Sequence, residues 1–550
     1  MMRRCLSSVA HWKLMPLQTS SASATTPAPP VQPGAQAGFS EKRLGISYGH
    51  WLWILCAVGI AVRLEQYLYN RSLWLDESLM VLNLLHRSYA QLARPLDYQL
   101  VAPLAWLFAE KACSLLFGPS ELAFRLVAIV GGSLAMVTVV ALARELLSPR
   151  AAFVAVALFA LSPPLIYYSS ELKPYGSDPA ACGLLWLLGF WALRPHPTMA
   201  KLATLAAAGA ILFWFCHPLL FVAAAFGVAV IMAAISNRDW RQLATFAPVF
   251  LVWATSFAVD YWLTLRVSSH NRALPHAYPF FTAPFRFPSI DMAIQSIFTL
   301  QQNPATLLLG VALFAAVVGG LYFWRQDRMA CGFLILPLLF ALIASNRHLY
   351  PLPGRFYLFF APALFLLVGS GADQICLAGR SRSLPIAPAL LILLFFQPVI
   401  STEDIVRHHM PGEELRPVLQ YVQQHQRPGD TWYIYDYART MYQYYAEAYG
   451  LKGDRVVLGS SFRVAPPKRK NWDVYEQDFS KLRGDRVWVI FTHNWTGDGV
   501  DEMAYALHTL DSMGVRMGVH LEYGASAYLY ELRPAPPDAK LPHSERASSN

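Results

Sequence analysis

The sequence predicts an all-α polytopic membrane bundle of about eleven transmembrane helices, with a small α/β soluble domain at its C-terminal end. Three observations point there. Of 550 residues, 55% are hydrophobic and only 14% charged, and the mean hydropathy is +0.34, whereas a soluble chain of this size carries about 25% charged residues. Apolar stretches of roughly 17–25 residues, enough helix to cross a bilayer, recur from Trp51 to Ile400. From about residue 401 the composition turns to that of a soluble domain.

Taken in order, residues 1–44 are rich in Ser, Ala, Pro and Thr and hold no apolar run long enough for a signal peptide, so they read as a disordered cytoplasmic tail. The transmembrane part, 45–400, carries spans near 49–69, 123–146, 151–169, 178–193, 202–216, 218–235, 243–265, 305–324, 329–345, 355–372 and 384–400. Arg63 and Glu65, near the end of the first span, read as an internal pair or as cavity-facing groups. Residues 99–117 are apolar but contain Pro103, Glu110 and Lys111, and are read as a helix lying in the interface. The positive-inside rule supports that choice, because the inner loops then hold Arg144 and Arg150, Arg194 and Lys201, Arg238 and Arg241, Arg325 and Arg328, and Arg380 and Arg382. A span at 99–117 would put all of these outside.

The same count puts the long first loop, 70–122, on the outer face with the segment around Glu171, the 266–303 loop, Arg347-His348 and the C-terminal domain. The first loop reads as short helices around 76–87, 89–94 and 99–117. The 266–303 loop, rich in Pro, Phe and His, is either a lid over a site or a structural connection.

Over 401–535 the pattern alternates helices (413–426, 438–449, 499–513) with strands (431–435, 455–458, 486–491, 515–521, 526–531), which suggests a small α/β layer fold. It contains neither a Gly-rich phosphate loop nor a nucleophile elbow. Residues 536–550 read as a disordered tail. The net charge of +9 sits largely in the short inner loops, where it sets orientation, so no nucleic-acid partner is expected. The seven cysteines avoid the C-terminal domain and show no disulfide or metal-ligand spacing.

The charged residues that remain are few and clustered. Asp76 and Glu77 lie in Trp74-Leu75-Asp76-Glu77-Ser78, just past the first span. Acidic residues favour the first turn of a helix by about 0.3–1 kcal/mol, but a carboxylate here could also take a proton from a hydroxyl or hold a divalent cation. Glu171-Leu172-Lys173-Pro174-Tyr175 follows Pro163-Pro164, whose rings end a helix and hang the polar residues over the bundle. Arg355, in Gly354-Arg355-Phe356-Tyr357, begins an outer-facing helix. An arginine there opposes the helix dipole, and makes better sense with an anion such as a phosphate held beside it. His217, at an outer span end, is either a packing residue or a substrate contact.

This set of motifs resembles the GT-C glycosyltransferases of the protein-mannosyltransferase and aminoarabinose-transferase type, nearest to the bacterial branch acting on lipopolysaccharide sugars. The resemblance covers roughly 45–400. It rests on the first-loop Asp76-Glu77, Leu116-Phe117-Gly118-Pro119-Ser120-Glu121 with Arg125, Leu161-Ser162-Pro163-Pro164 with Tyr168 to Tyr175, and Gly354 to Tyr357. It implies transfer of a hexosyl or pentosyl group from a polyprenyl-phosphate carrier, with inversion, to a glycan, lipid or protein acceptor on the outer face of the inner (plasma) membrane. Asp76 matches the first-loop acidic residue expected to act as base, with Glu77 in support. Glu171 matches a second acidic position, and with Asp76 is the implied pair for a divalent metal. Lys173 and Arg355 would stabilise the leaving lipid phosphate, with Tyr175 and His217 as candidate substrate contacts. Where that family often has Arg, this chain has Lys173, a point charge in place of a bidentate fork. A transporter or flippase of a lipid-linked substrate would share an outer polar cavity but would be expected to show internal repeats and broken central helices. A glycan polymerase or ligase is the other rival, against which the Asp76-Glu77 placement argues.

Overall fold

Each of the eleven apolar runs folds as helix in the computed structural model, which describes residues 48–194, 197–266, 306–347, 349–351, 354–381, 385–460, 477–482, 485–494 and 501–534. The expected tails 1–44 and 536–550, His348 and all but the first residue of the 266–303 loop fall outside the described residues. In chain order the helices are α1 Tyr48–Leu68, α2 Leu75–His86, α3 Leu104–Phe117, α4 Leu126–Leu146, α5 Pro149–Ala160, α6 Pro163–Tyr168, α7 Asp178–Leu193, α8 Met199–Leu212, α9 Leu219–Asn237, α10 Arg241–Asp260, α11 Thr306–Gln326, α12 Arg328–Asn346, α13 Ala361–Ser381 and α14 Ile386–His408. Helices α15 Leu415–His425, α16 Arg439–Tyr449 and α17 Glu502–Met513 belong to the C-terminal part.

Among the described residues, eight helices are long and apolar enough to cross a membrane. The other three expected spans form α5, α7 and α8, of 12, 16 and 14 residues. The shortening has local causes. Pro163-Pro164 cannot continue the ladder of α5 and instead open α6. Thr198 caps the start of α8 by accepting the Lys201 N–H at 3.3 Å, and the helix ends at Leu212, beyond which the Trp214 and Phe215 amides make tighter i→i−3 bonds to Ile211 and Leu212 at 3.1 and 3.0 Å.

The bundle is drawn tight by small residues. A Cβ on Gly319 of α11 would lie 2.0 Å from the Leu367 carbonyl oxygen, and one on Gly371 of α13 would lie 1.7 Å from that of Ala315. These two helices therefore touch backbone to backbone, as small residues permit in membranes. Arg63, buried in α1, does not pair with Glu65. It donates to the carbonyls of Gly59, Phe159 and Ala160 at 2.8, 3.0 and 3.1 Å, stapling α1 to the end of α5, while Glu65 bonds His409.

The C-terminal part carries a five-stranded sheet, with β1 Thr431–Ile434, β2 Arg455–Leu458, β3 Arg486–Thr492, β4 Gly514–Glu522 and β5 Ala525–Leu532 in the order β2-β1-β3-β5-β4. β1 pairs in parallel with β2 and β3, whereas β5 lies antiparallel to β3 and β4. Its apolar core is shared with the 70–122 segment: Leu73, Met80, Leu84 and Trp106 join Val418, Tyr445 and Ile490 in one buried cluster. The expected interfacial helix is α3, whose last residues Leu115, Leu116 and Phe117 are exposed.

Polar contacts lock the two together. The amide of Ser72 donates to Glu414 Oε2 at 3.0 Å, that of Leu73 to Tyr445 Oη at 2.8 Å and that of Leu75 to Glu413 Oε2 at 3.2 Å. These donors lead into the N-terminus of α2, where orphan amides and a favourable dipole attract carboxylates. The sheet domain thus supplies the caps for the helix that carries Asp76.

Candidate functional site

The first turn of α2 places two carboxylates in opposite situations. Glu77 is fully buried, and both its oxygens are consumed. Arg125 donates to it from Nε at 2.9 Å and Nη2 at 2.6 Å, and the Leu172 amide donates to Oε1 at 2.8 Å. The same guanidinium also reaches the carbonyls of Arg71 and Ser72 at 2.7 and 3.2 Å. Read from the sequence as catalytic, Glu77 instead has no face left for a substrate, so its assignment changes to a positioning residue. A bidentate buried pair with every lone pair occupied fixes geometry strongly.

Asp76, one residue earlier, turns the other way and keeps 28% of its side chain exposed. Arg355 Nη2 meets Asp76 Oδ2 at 2.5 Å, and Lys173 Nζ stands 3.9 Å from the same oxygen. Arg355 Nη1 lies 3.9 Å from Glu171 Oε1. The guanidinium is sandwiched by aromatic rings, with its carbon 5.3 Å from the Trp74 centroid and 5.2 Å from that of Tyr175. The structure thus brings Asp76, Glu171, Lys173, Tyr175 and Arg355 together from three distant segments. Tyr175 acts as a support under Arg355, wedged at 5.2 Å against Phe356.

Burial and charge pull the cluster in different directions. Burial by itself would raise the Asp76 carboxyl, but Lys173 and then Arg355 outweigh it and hold the group below its usual value. Glu171 is the reverse. Burial dominates the opposing Arg355 charge, and its carboxyl is pushed up to about 7. Neither Glu171 oxygen has a hydrogen-bond partner among the described residues, and 3.9 Å is too long for one from Arg355. Burial also lowers the Lys173 ammonium.

His217 does not join the cluster. Its charged neighbour is the buried Asp260 of α10, 3.4 Å from Nε2. The reading of Asp76 and Glu171 as a metal pair does not fit the residues present. A guanidinium already stands between the two carboxylates, and among the described residues no group of three or more His, Cys, Asp or Glu side chains could hold a metal ion.

Sequence reasoning missed four members. Arg71 is buried with its guanidinium 3.9 Å from the Tyr167 ring centroid and Nη1 3.0 Å from Ser170 Oγ. Trp74 was visible in the first-loop motif, but nothing in its type announced the Arg355 stack. Glu413 and His493 come from the sheet domain and have no local signature at all.

No family model matches the chain, and no curated protein matches it in sequence. Among solved structures, it is similar to ArnT from Cupriavidus metallidurans in the apo state, with a TM-score of 0.51 and 14% identity, over 87% of this chain and 98% of that one. ArnT from the same organism bound to undecaprenyl phosphate gives 0.49, again at 14% identity over 87% and 98%. The archaeal oligosaccharyltransferase AglB from Archaeoglobus fulgidus, in complex with an inhibitory peptide and a dolichol-phosphate, gives 0.47 at 13% identity over 90% of this chain and 75% of that one. The likeness to apo ArnT shows the fold: a helical bundle, eight of whose helices among the described residues are long and apolar enough to cross a membrane, with a C-terminal sheet part.

Proposed function

We propose that the protein is a membrane glycosyltransferase that takes a hexosyl or pentosyl group from a polyprenyl-phosphate carrier and transfers it, with inversion, to an acceptor hydroxyl at the extracytoplasmic face of the inner membrane. The observation that carries this reading is the Asp76–Arg355 contact, flanked by Lys173 and Glu171 under the sheet domain. A base and two phosphate-type cations share one partly open site. The solved complex of ArnT with undecaprenyl phosphate makes such a carrier a reasonable donor for a chain of this fold.

In this mechanism the donor phosphate enters between Arg355 and Lys173. Arg355 turns from Asp76 to the phosphate, and the carboxylate regains basicity as it loses that partner. The acceptor oxygen then bonds to the sugar's anomeric carbon while the bond from that carbon to the phosphate oxygen breaks. The proton passes to Asp76, and the electron pair leaves with the polyprenyl phosphate, stabilised by the two cations. Trp74 and Tyr175, whose rings flank the guanidinium at 5.3 and 5.2 Å, keep it within reach of the phosphate as it turns. The acceptor is a glycan, lipid or protein bearing a free hydroxyl, and lipopolysaccharide is one such target.

Two variants test the reading with undecaprenyl phosphate as probe and the full chain in nanodiscs. Arg355→Ala is expected to weaken binding at least tenfold, whereas Arg380→Gln, at the opposite helix end, leaves it unchanged. Asp76→Asn is expected to bind the probe as the parent does and to lower transfer by about 10²–10⁴-fold, the usual cost of a lost general base. Asn also caps helices about as well as Asp, so turnover within a few-fold of the parent would exclude Asp76 as base. Equal affinity in Arg355→Ala would exclude the phosphate role.

A further inference from the structure

The sheet domain reaches the site through one carboxylate and one imidazole. β3 ends at Thr492 and the chain leaves it through His493, whose φ of 51° lies in the left-handed region. A histidine held there costs backbone energy, and such strain gathers at functional sites. His493 Nδ1 meets Glu413 Oε1 at 2.5 Å, while Glu413 Oε2 accepts the amide of Leu75 at 3.2 Å. Leu75 directly precedes Asp76. One carboxylate therefore ties the imidazole to the turn that bears the proposed base.

The second support is the placement of the ring. His493 lies at the carboxyl end of the parallel pair β1 and β3, the edge where sheets of this kind place ligands. Tyr437, from the turn after β1, sets its ring 5.7 Å from the imidazole. The side chain keeps 29% of its surface open, and no described residue hydrogen-bonds Nε2. Electrostatics agree. Burial would lower the imidazole, but the Glu413 bond outweighs it, and the Asp76 charge adds to the rise. With Nδ1 held by the Glu413 carboxylate, Nε2 is the ring nitrogen left to meet a ligand, accepting from a hydroxyl when the ring is neutral and donating to an oxygen when it is protonated.

Donor and acceptor must approach from different sides. Arg355 and Lys173 touch Asp76 from the bundle, where a lipid phosphate arrives. In an inverting displacement the incoming oxygen attacks the face opposite the leaving group. The acceptor then enters from the sheet domain, where His493 stands. Resting on the transferase reading above, we propose that His493, oriented by Glu413, is an acceptor-side contact of this site and hydrogen-bonds through Nε2 to the hydroxyl-bearing acceptor.

The test compares His493→Gly, His493→Gln and Glu413→Gln with the parent, each as the full chain. Undecaprenyl phosphate binding reads the donor side. Mass spectrometry of envelope glycoconjugates from the source organism, with its own copy deleted and the variant supplied, reads transfer. His493→Gly relieves the left-handed strain, so its thermal midpoint should stay within about 2 °C of the parent or rise. Its product should fall at least tenfold with probe affinity within twofold. Gln keeps a side-chain amide that can donate or accept and is expected to make more product than Gly although it fits φ 51° less well. Glu413→Gln should lose product about as much as His493→Gly.

Product within twofold of the parent in His493→Gly would overturn the proposal. So would a tenfold loss of probe affinity, which would put His493 on the donor side, or a Gly variant as productive as Gln, which would make the role structural. Failure of the parent chain to bind the probe would instead sink the transferase reading itself.

Discussion

Glu171 holds a buried carboxyl whose oxygens have no hydrogen-bond partner among the described residues, and that isolation sets its titration. Its value in the fold is about 7 against an ordinary 4.5. The native state therefore keeps a proton that the unfolded chain gives up. The associated stability is fully present below pH 4.5, declines as pH rises through about 7, and amounts to on the order of 3 kcal/mol. Glu171→Gln removes the dependence. Its thermal midpoint should match the parent near pH 4.5 and exceed it at pH 8, and an equal difference at both pH values would refute the assignment. The type and place of Glu171, Lys173 and Arg355 were legible in the sequence because charge is rare in this chain. Their charge states were not. Those depend on how close each carboxylate lies to Arg355 and how deeply it is buried, and no local pattern encodes that.

At the scale of elements, the joint between α2, the 169–177 segment and the start of α4 hangs on Arg125 and Glu77, which are 1% and 0% exposed. Removing one member strands a buried charge. Arg125→Ala should destabilise by about 3–5 kcal/mol, whereas the double variant Arg125→Met with Glu77→Leu should recover much of that. Thermal unfolding in detergent would check both, and an Arg125→Ala protein as stable as its parent would deny the joint any role. The sequence located nearly every helix and strand, because periods of two and of 3.6 residues survive in both the membrane and soluble parts. It overextended the third and fifth spans, expected over 151–169 and 202–216. Apolar composition continues through Pro163-Pro164 and through the 213–218 corner, and composition does not report where the backbone ladder stops.

Across the whole molecule, the basic loops define one end. Arg194, Arg241, Arg325 and Arg328, from three different helix connections, line a single cleft of about 1030 Å³. The Asp76 cluster is built from connections at the other helix ends. If the arginine end is cytoplasmic, as the positive-inside rule requires, alkaline phosphatase fused after Arg533 should be active and one fused after Arg238 inactive. The reverse pattern would invert the topology and move the proposed site to the cytoplasm.

The sequence by itself determined the class of the molecule, the helices of the bundle, the strands of the C-terminal sheet, and the motifs that hold Asp76, Glu171, Lys173 and Arg355. Each of these follows from hydrophobic period, chain breakers or the scarcity of charge, all of them local. Only the tertiary structure decided that Glu77 is sealed against Arg125 while its neighbour Asp76 turns to Arg355 and stays partly exposed, a matter of which side of one helical turn packs inward. It alone set Arg355 between Asp76 and Glu171, 279 residues from the first of them. It alone docked Glu413, Glu414 and Tyr445 on the amides before α2. Contacts across such separations arise when two apolar faces merge into one core, and their partners are named only once that core has formed.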